Sequence, residues 1–415
     1  MRFWQTLLPV IVSLCALAEV GFGGDWPQIL GPNRDGIAVG ETLLDEWPDS
    51  GPKEVWQANV GQGFAGVAVY KNTVYVFHRV DGSETVEARV AATGAIIWRQ
   101  EFPCGYRGGY SSDSGPRCVP VVTNDRVYVF GVEGVLRCLS RADGSEVWSR
   151  DTAKEYKSPE GYFGFGSTPV LHNGKLIVNV GGRKDAAIVA FSATSGKTVW
   201  QSFSDAASYS SPVVADIDGT PHALVVTRYH VVSLNPSSGK IRFQFPFGMR
   251  GPTVNGATPV IVGNHVFVSS SYRVGSVWAK ISSNEPELTV SGEALLATQY
   301  ATPIKHNGLL YAVDGRQDSG DASVKCIDPS AQKVLWQKDG FQYGSIIRVN
   351  ADLVFLTCDG ELIRVAANRS GYRQLHESKV LNPTPRGYRL PAISNGRLFV
   401  RDDRILKCLQ VGKTR

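Results

Sequence analysis

Several signatures of particular chemistries are missing from this sequence. The seven cysteines form no CxxC or CxxCH pattern and no adjacent pair, so zinc ribbons, thioredoxin-type redox sites and c-type haem attachment find no support. The seven histidines form neither HExxH nor HxH. The formal net charge is only +5, and no run of lysine and arginine is long enough to indicate a nucleic-acid partner. These absences give no support to a catalytic motif, so the sequence is more informative about the fold.

Long apolar runs are also absent after the first residues of the chain. Residues 7–17 form an apolar run behind a basic residue, with Ala16 and Ala18 at the positions that a signal peptidase reads. This pattern predicts a signal peptide over residues 1–18 and an exported protein, periplasmic or secreted, with no transmembrane segment in the mature chain. A lipid anchor on Cys15 is not expected, because a bulky leucine precedes it where a small residue is required.

The remainder of the chain is rich in glycine, proline and apolar residues, and it repeats. The sequence contains 44 Gly and 22 Pro, which is typical of many short strands joined by turns. A proline or apolar anchor, an Asn/Gly-rich turn and a second apolar strand recur with a period of about 46 residues. The anchors are Val67, Pro120, Pro169, Pro212, Pro259, Pro303, Ile346 and Pro391. Eight repeats of this length predict an all-β fold, an eight-bladed β-propeller of four-stranded antiparallel blades.

Most repeats continue into an eleven-residue motif that begins with a small residue and ends with tryptophan. Residues 88–98 show the motif most fully, with Gly94 in the turn and Trp98 at the end. The aromatic residues assigned to this terminal position are Trp56, Trp98, Trp148, Trp200, Phe243 and Trp336. The repeats around residues 272–291 and 361–375 depart from the motif, so their outer strands are the least well specified.

The motif resembles the tryptophan-docking repeat of the PQQ-like (quinoprotein) β-propeller family, which includes exported PQQ-repeat proteins and the outer-membrane-assembly lipoprotein propeller. The resemblance extends over residues 53–410, and the opening segment around Asp25–Gly36 is similar to exported members of the group, some described as polyvinyl-alcohol dehydrogenases. It implies that each tryptophan packs on the backbone of the next blade and locks the two blades together.

The two ends of the chain are predicted to meet in one blade. The eighth repeat supplies three strands near 390–394, 397–401 and 404–410, and the segment around Trp56 has no repeat of its own. We therefore expect this segment to be the missing outer strand, which removes the exposed edges of an open array. The predicted domains are a signal peptide (1–18), an N-terminal arm (19–52) and the propeller (53–415).

Three short motifs are interpreted as turns rather than as active sites. The GxGxxG pattern of residues 61–66 leads into a strand, whereas a dinucleotide fingerprint follows a strand and opens a helix. The Asp-Ser-Gly sequences at Asp113 and Asp318 lack the apolar flanks of aspartic proteases. His172 and His306 occupy the same hairpin-turn position, which favours solvent exposure over metal binding.

A candidate binding face follows from the positions before the innermost strands. Five of the eight residues that stand three positions before an anchor are aromatic, and they should encircle one mouth of the central channel. Arginines gather in loops on the same side, and tyrosine with arginine is the composition of interface hot spots. The alternative is that the aromatic residues pack between neighbouring blades. The candidate face comprises Phe64, Arg117, Tyr209, Tyr300, Tyr343, Tyr388, Arg107 and Arg316.

Cys104 and Cys118 bracket a long polar loop. In an oxidising compartment they could form a disulfide that closes a loop of about 15 residues and stabilises the fold by about 3 kcal/mol. The alternative is two free thiols.

The cofactor-binding and catalytic residues of a quinone enzyme are not recognisable in the sequence. In the dehydrogenases to which the resemblance points, a disulfide between adjacent cysteines lies on the quinone, and calcium is held by Glu, Asn and Asp beside a catalytic Asp. No Cys-Cys pair occurs here, and no residue matches the metal ligands. We therefore expect a non-catalytic scaffold without a cofactor that binds a protein or polymer partner in the cell envelope. The alternative is a PQQ-dependent alcohol or sugar dehydrogenase, which would use PQQ and calcium.

Overall fold

The computed structural model describes residues 24–110, 113–251, 253–282, 285–383 and 389–414. Within these ranges the strands form eight antiparallel sheets of four strands, and one sheet gains a fifth, parallel strand from the N-terminal arm. The expected all-β, eight-bladed propeller is thereby confirmed. The predicted signal peptide lies outside the described residues.

In blades 1 to 7 four strands follow one another in chain order from the channel outwards, and blade 8 takes its outer strand from the segment before blade 1. The arm, the closing strand and blades 1 to 4 contain β1 (Ile37–Ala38), β2 (Lys53–Asn59), β3 (Val67–Tyr70), β4 (Thr73–Val80), β5 (Ser83–Val90), β6 (Ile96–Pro103), β7 (Val121–Val122), β8 (Arg126–Phe130), β9 (Val135–Ser140), β10 (Glu146–Asp151), β11 (Val170–His172), β12 (Lys175–Gly182), β13 (Ala186–Ser192), β14 (Thr198–Ser202), β15 (Val213–Ile217), β16 (Thr220–Val226), β17 (His230–Leu234) and β18 (Ile241–Pro246). Blades 5 to 8 contain β19 (Val260–Val262), β20 (His265–Ser270), β21 (Gly275–Lys280), β22 (Glu287–Ser291), β23 (Ile304–His306), β24 (Leu309–Gly315), β25 (Ala322–Asp328), β26 (Lys333–Asp339), β27 (Gly344–Val349), β28 (Asp352–Thr357), β29 (Glu361–Ala366), β30 (Gln374–Lys379), β31 (Ala392–Ser394), β32 (Arg397–Arg401) and β33 (Ile405–Gln410).

The described helices are two short segments, α1 (Thr152–Tyr156) and α2 (Gly292–Leu295). In the part of the chain that the structure describes, neither helix has the length and apolar character needed to span a bilayer.

The Asn-Gly turns set the inner hairpins of several blades. Asn173 and Gly174 both have positive φ angles, 45° and 72°, as a two-residue type I′ hairpin requires. The core then forms between blades rather than within them, because each sheet buries both faces against its neighbours. Phe130 of blade 2 and Phe191 of blade 3, for example, belong to one buried cluster.

The aromatic residues of the outer strands lie opposite the small residues of the motif and contact the next blade. Trp98 pairs with Ala88 across blade 1, and its indole Nε1 donates a 3.0 Å hydrogen bond to the carbonyl of Arg141 in blade 2. The same ring covers Gly144, where an added Cβ would lie 2.5 Å from the indole. The glycine of the motif is therefore required by the indole of the preceding blade as well as by its own positive φ of 77°.

Blade 5 departs from this pattern, and the departure propagates to blade 6. Its outer strand carries Thr289 opposite Trp278, so the indole stands on the third strand, where it stacks on His265 at 4.4 Å. No indole therefore reaches the corresponding turn of blade 6 from this outer strand. That turn carries Gln332 instead of glycine, at a φ of 52°, and Gln332 hydrogen-bonds Ser291 of blade 5.

Blade 8 takes its outer strand from the beginning of the propeller. Strand β2 pairs antiparallel with β33 from Lys53↔Gln410 to Asn59↔Ile405, which places Trp56 opposite Cys408. The Trp56 indole donates a 2.9 Å hydrogen bond to the carbonyl of Ala91 in blade 1. The last blade thereby contacts the first through both backbone pairing and an indole.

The described part of the N-terminal arm runs across the hairpin-turn side of the ring, which we call the base. Asp25 accepts a hydrogen bond from the Lys71 amide in the first hairpin turn of blade 1, and the Glu41 carboxylate accepts from the amides of Asn395 and Gly396 in the corresponding turn of blade 8. Arg34 donates hydrogen bonds to the carbonyls of Thr168 and Pro169, just before the innermost strand of blade 3, and burial lowers its pKa to about 9. The arm therefore caps the channel from below.

The two cysteines considered for a disulfide are free thiols in the structure. The Cys118 sulfur is fully buried and accepts a hydrogen bond from the Phe130 amide, whereas Cys104 packs with Tyr106 and Val132 in a separate cluster. Of the two alternatives that the sequence left open, the structure shows two free thiols, and each side chain is packed in its own apolar environment. Burial raises the pKa of both thiols to about 12, so neither is a reactive thiolate.

Candidate functional site

Most residues of the predicted face surround one cavity. The cavity lies at the end of the channel opposite the base, and we call this end of the channel the mouth. The cavity has a volume of about 360 Å³. The predicted residues that line it are Phe64, Arg117, Tyr209, Tyr300, Tyr343 and Arg316. Tyr388 lies outside the described residues, and Arg107 is exposed and lines a separate depression beside Arg79.

The arm contributes to the base side of the cavity. Ile29, from the segment that crosses the base, contributes to its lining together with Val119 and Leu390. On the opposite side the lining includes exposed residues, among them Tyr110 with 60% of its surface accessible. The site is therefore a pocket that extends from the arm to exposed residues at the mouth.

Two of the predicted tyrosines also pack between blades. The Tyr343 hydroxyl accepts hydrogen bonds from the amides of Tyr300 (2.6 Å) and Ala301 (3.0 Å), and the Tyr209 hydroxyl accepts one from the Phe163 amide at 2.7 Å. Burial raises the pKa of both tyrosines. These hydroxyls join neighbouring blades while the rings line the cavity, so both interpretations of the aromatic positions describe the same side chains.

Sequence reasoning missed four further aromatic residues in the lining, which are Tyr110, Tyr162, Phe163 and Tyr272. They lie in irregular connections, where no repeat position marks them. Tyr110 packs edge-on against Tyr162 at 5.2 Å, and this pair stands at the exposed side of the cavity. The sequence signal that could have identified them is a cluster of Tyr and Phe in glycine-rich connections.

Among the described lining residues, Arg117 is the cation that forms no ion pair with a described carboxylate. Its terminal nitrogens donate to the carbonyls of Gly115 and Asp113, and its Nε has no acceptor among the described residues. The guanidinium lies 5.0 Å from the ring centre of Phe64, and burial lowers the pKa of Arg117. A half-buried guanidinium of this kind favours an incoming anion.

A second polar group is held in a fixed network. Gln299 is buried and donates to the Tyr272 hydroxyl (2.6 Å) and to Asp318 (3.2 Å). Asp318 also accepts from Arg316 in a two-point ion pair, and this bond lowers the pKa of Asp318. Arg316 in turn stacks on Tyr272 at 4.2 Å. The second Asp-Ser-Gly sequence is therefore a turn that places a carboxylate at the cavity.

The first Asp-Ser-Gly sequence has a structural role beside the same mouth. The Asp113 carboxylate accepts hydrogen bonds from the amides of Gly63 (3.0 Å) and Gly115 (2.9 Å). It also forms a 3.0 Å ion pair with Arg389, which is buried and comes from the segment before the last blade. Asp113 thus connects the first and last blades of the ring.

The donor set of the cavity does not fit the cofactors of the quinone alternative. Asp318 is the one carboxylate among the described lining residues, and it is engaged by Arg316. Calcium takes six to eight oxygen ligands, usually including several carboxylates. Nowhere in the described ranges do three or more His, Cys, Asp or Glu side chains gather at a spacing that could hold a metal. We therefore derive no reaction step through PQQ or calcium.

The fold and the cavity define an eight-bladed propeller with a capped channel and an aromatic, cationic mouth. A family model described as outer membrane protein assembly factor BamB matches residues 47–155 and 82–338. The chain belongs to this PQQ-repeat family, as the repeat motif predicted.

Individual relatives are distant in sequence. The outer membrane protein assembly factor BamB of Salmonella typhimurium is 23% identical over 326 residues, which is 75% of this chain and 76% of that protein. The crystal structure of BamB from Moraxella catarrhalis superposes with a TM-score of 0.61 at 13% identity, covering 86% of this chain and 99% of that one. Quinohemoprotein alcohol dehydrogenase ADHIIG from Pseudomonas putida HK5 gives a TM-score of 0.67 at 12% identity, covering 95% and 81%. At these identities the structural likeness is one of fold.

Proposed function

We propose that this protein is a non-catalytic scaffold of the cell envelope that binds partner molecules at the mouth of its channel. The observation that supports this most directly is the convergence of Tyr, Phe and Arg side chains from separate blades on one open cavity. Aromatic residues and arginine dominate binding hot spots because they bury large areas without losing many rotamers. The proposal includes export to the periplasm or beyond and operation without a cofactor.

The family relationship supports a protein partner. The relatives are described as outer membrane protein assembly factors, and a factor that assembles proteins must contact them. The rigid ring suits such a role, since a mouth built on packed blades presents its side chains at little entropic cost. The similarity to the dehydrogenase reflects the shared fold and does not imply that the cavity contains cofactor ligands.

Capture of partners from envelope extract tests the proposal. In the double variant Tyr272→Ala/Arg316→Ala, the 4.2 Å stack at the mouth is removed, and we expect the loss of partners that the unmodified protein retains. The matched control is Tyr70→Ala/Arg141→Ala, which removes a similar stack at the base, where the separation is 5.7 Å. Retention of the same partners by the mouth variant would contradict the proposal.

The quinone alternative is tested separately. Purified protein is mixed with PQQ and calcium, and bound-quinone absorbance and alcohol-dependent dye reduction are measured. The scaffold account expects neither signal, and a saturable appearance of both would replace it with an enzyme.

A further inference from the structure

We infer that the cavity at the mouth of the channel binds an acidic sugar unit, such as a uronic acid of an envelope polysaccharide. The inference deepens the proposed function, on which it rests only in taking the mouth as an accessible binding surface. It starts from the three charged residues in the lining, Arg117, Arg316 and Asp318. Two cations face one carboxylate, and that carboxylate is already paired with Arg316. The Arg117 guanidinium forms hydrogen bonds to backbone carbonyls but no ion pair with a described carboxylate, so its charge is available to an acidic ligand.

The aromatic surfaces indicate the shape of the ligand body. Tyr110, Tyr162, Tyr272 and Tyr300 place ring faces or edges around a space of about 360 Å³. A pyranose ring exposes C–H bonds on its faces, and these bonds pack favourably against the electron-rich faces of aromatic rings. A cavity near the lower end of the usual range for ligand sites accommodates one or two such rings but excludes a folded protein surface.

The polar network suits the edge of a sugar rather than a purely apolar ligand. Gln299, Asp318 and Arg316 are planar groups held in fixed orientations by their mutual hydrogen bonds. Planar groups of this kind engage two adjacent hydroxyls at once, which gives orientation to a ring that stacking alone would leave free. A peptide of equal charge offers a carboxylate but no pyranose ring with hydroxyls around its edge.

The binding of defined probes distinguishes these ligands by titration calorimetry. We expect saturable binding of the galacturonic acid trimer. Maltotriose, which has the same number of rings but no carboxylate, and end-blocked triglutamate, which has the charge but no rings, should bind at least tenfold more weakly. Equal or tighter binding of maltotriose would refute an acidic ligand. Tighter binding of the peptide would refute a sugar, and no saturable binding of the uronate trimer would refute both.

Variants locate the site. Arg117→Gln should weaken uronate binding at least tenfold, the loss expected when a charge-assisted hydrogen bond is removed. Arg141→Gln lowers the net charge equally but lies at the base, and it should bind as the unmodified protein does. Because Arg117 is packed against Phe64, Tyr110→Ala serves as a second variant; Tyr110 is 60% exposed, so its removal leaves the fold intact while weakening binding. Unchanged affinity in Tyr110→Ala and Arg117→Gln would refute this location.

The two proposals fail in different ways. If protein partners are captured at the mouth but the uronate trimer does not bind, the scaffold function stands and the sugar site is wrong. If the trimer binds and no partner depends on the mouth, the sugar site stands alone.

Discussion

The indole Nε1 of Trp47, in the N-terminal arm, donates a 2.9 Å hydrogen bond to the carbonyl of Val411 in blade 8. Val411 stands three residues after Cys408, and the residue at this offset accepts an indole hydrogen bond in blades 1 to 4. Ala91, for example, stands three residues after Ala88 and accepts from Trp56. The arm therefore supplies an indole from outside the repeat to the interface between blades 7 and 8.

The reason lies in blade 7 itself. Its outer strand has His376 at the tryptophan position, opposite Arg364. Trp47 packs edge-on against His376 at 5.3 Å, and the Arg364 guanidinium lies 5.4 Å from its ring centre. Arg364 also donates to the carbonyl of Leu44, which holds the arm in place. The departure of this blade from the motif is thus compensated by a tryptophan distant in sequence.

Removal of this indole should destabilise the ring. Trp47 is 6% exposed, so Trp47→Ala is expected to lower the free energy of unfolding by about 3–5 kcal/mol. Trp47→Phe keeps a ring but loses the hydrogen bond and should cost about 1 kcal/mol. Denaturant unfolding measures both, with Ile97→Ala on an exposed outer strand as the control. A loss below 1 kcal/mol for Trp47→Ala would show that the arm does not stabilise blade 7.

The stability cost of replacing a glycine beneath a docked indole can be compared with the cost of replacing a glycine in an open turn. Gly196 and Gly174 have nearly equal φ angles, 68° and 72°, so alanine at either position should cost about 1–2 kcal/mol in backbone strain. An added Cβ at Gly196 would also lie 2.8 Å from the Trp148 ring, whereas none of the described atoms lies within 4 Å of a Cβ at Gly174. We expect Gly196→Ala to cost about 1–3 kcal/mol more than Gly174→Ala in denaturant unfolding. Equal costs would mean that the indole moves aside freely.

A buried carboxyl between blades 1 and 2 should make stability depend on pH. Burial raises the pKa of Glu84 to about 7, although the group accepts a 2.7 Å hydrogen bond from the Val132 amide. In the unfolded chain the pKa is about 4.5, so the folded state binds more protons between these values. The contribution of Glu84 to stability is therefore fully present below about pH 4.5 and falls by about 3 kcal/mol as pH rises to 7.

Unfolding curves between pH 4.5 and 8 measure this contribution. Relative to the unmodified protein, Glu84→Gln should gain stability as pH rises, because the amide keeps an acceptor for Val132 and does not ionise. Glu101→Gln, at an exposed position, provides the control. A constant difference between Glu84→Gln and the unmodified protein at all pH values would contradict the assignment.

The two Asp-Ser-Gly sequences should respond differently to the same substitution. Asp113→Ala leaves Arg389 buried without its carboxylate and is expected to cost about 3–5 kcal/mol. Asp318→Ala breaks an exposed pair with Arg316 and should cost no more than about 1 kcal/mol. Thermal and denaturant unfolding compare them directly. Similar losses would show that Asp113 does not connect the first and last blades.

The fold was predictable from the sequence because most blades carry the same turn glycines and outer aromatic residues. The mouth was predictable in part, since Phe64, Tyr209 and Tyr300 each occupy the same position before the inner strand of their blade. Tyr110 and Trp47 were not predictable in this way. They lie in segments without a repeat, and their positions depend on contacts with residues distant in the chain.

The central claim is that the mouth is the surface at which this protein meets its partners, and in-cell photo-crosslinking tests it most directly. A photoreactive amino acid is placed at Tyr110 in the mouth, and in separate variants at Val147, Val199 and Ile241, which are exposed on the outer strands. The account predicts strong, reproducible crosslinked products from position 110 and weak or none from the three outer positions. Products confined to the outer positions would contradict it.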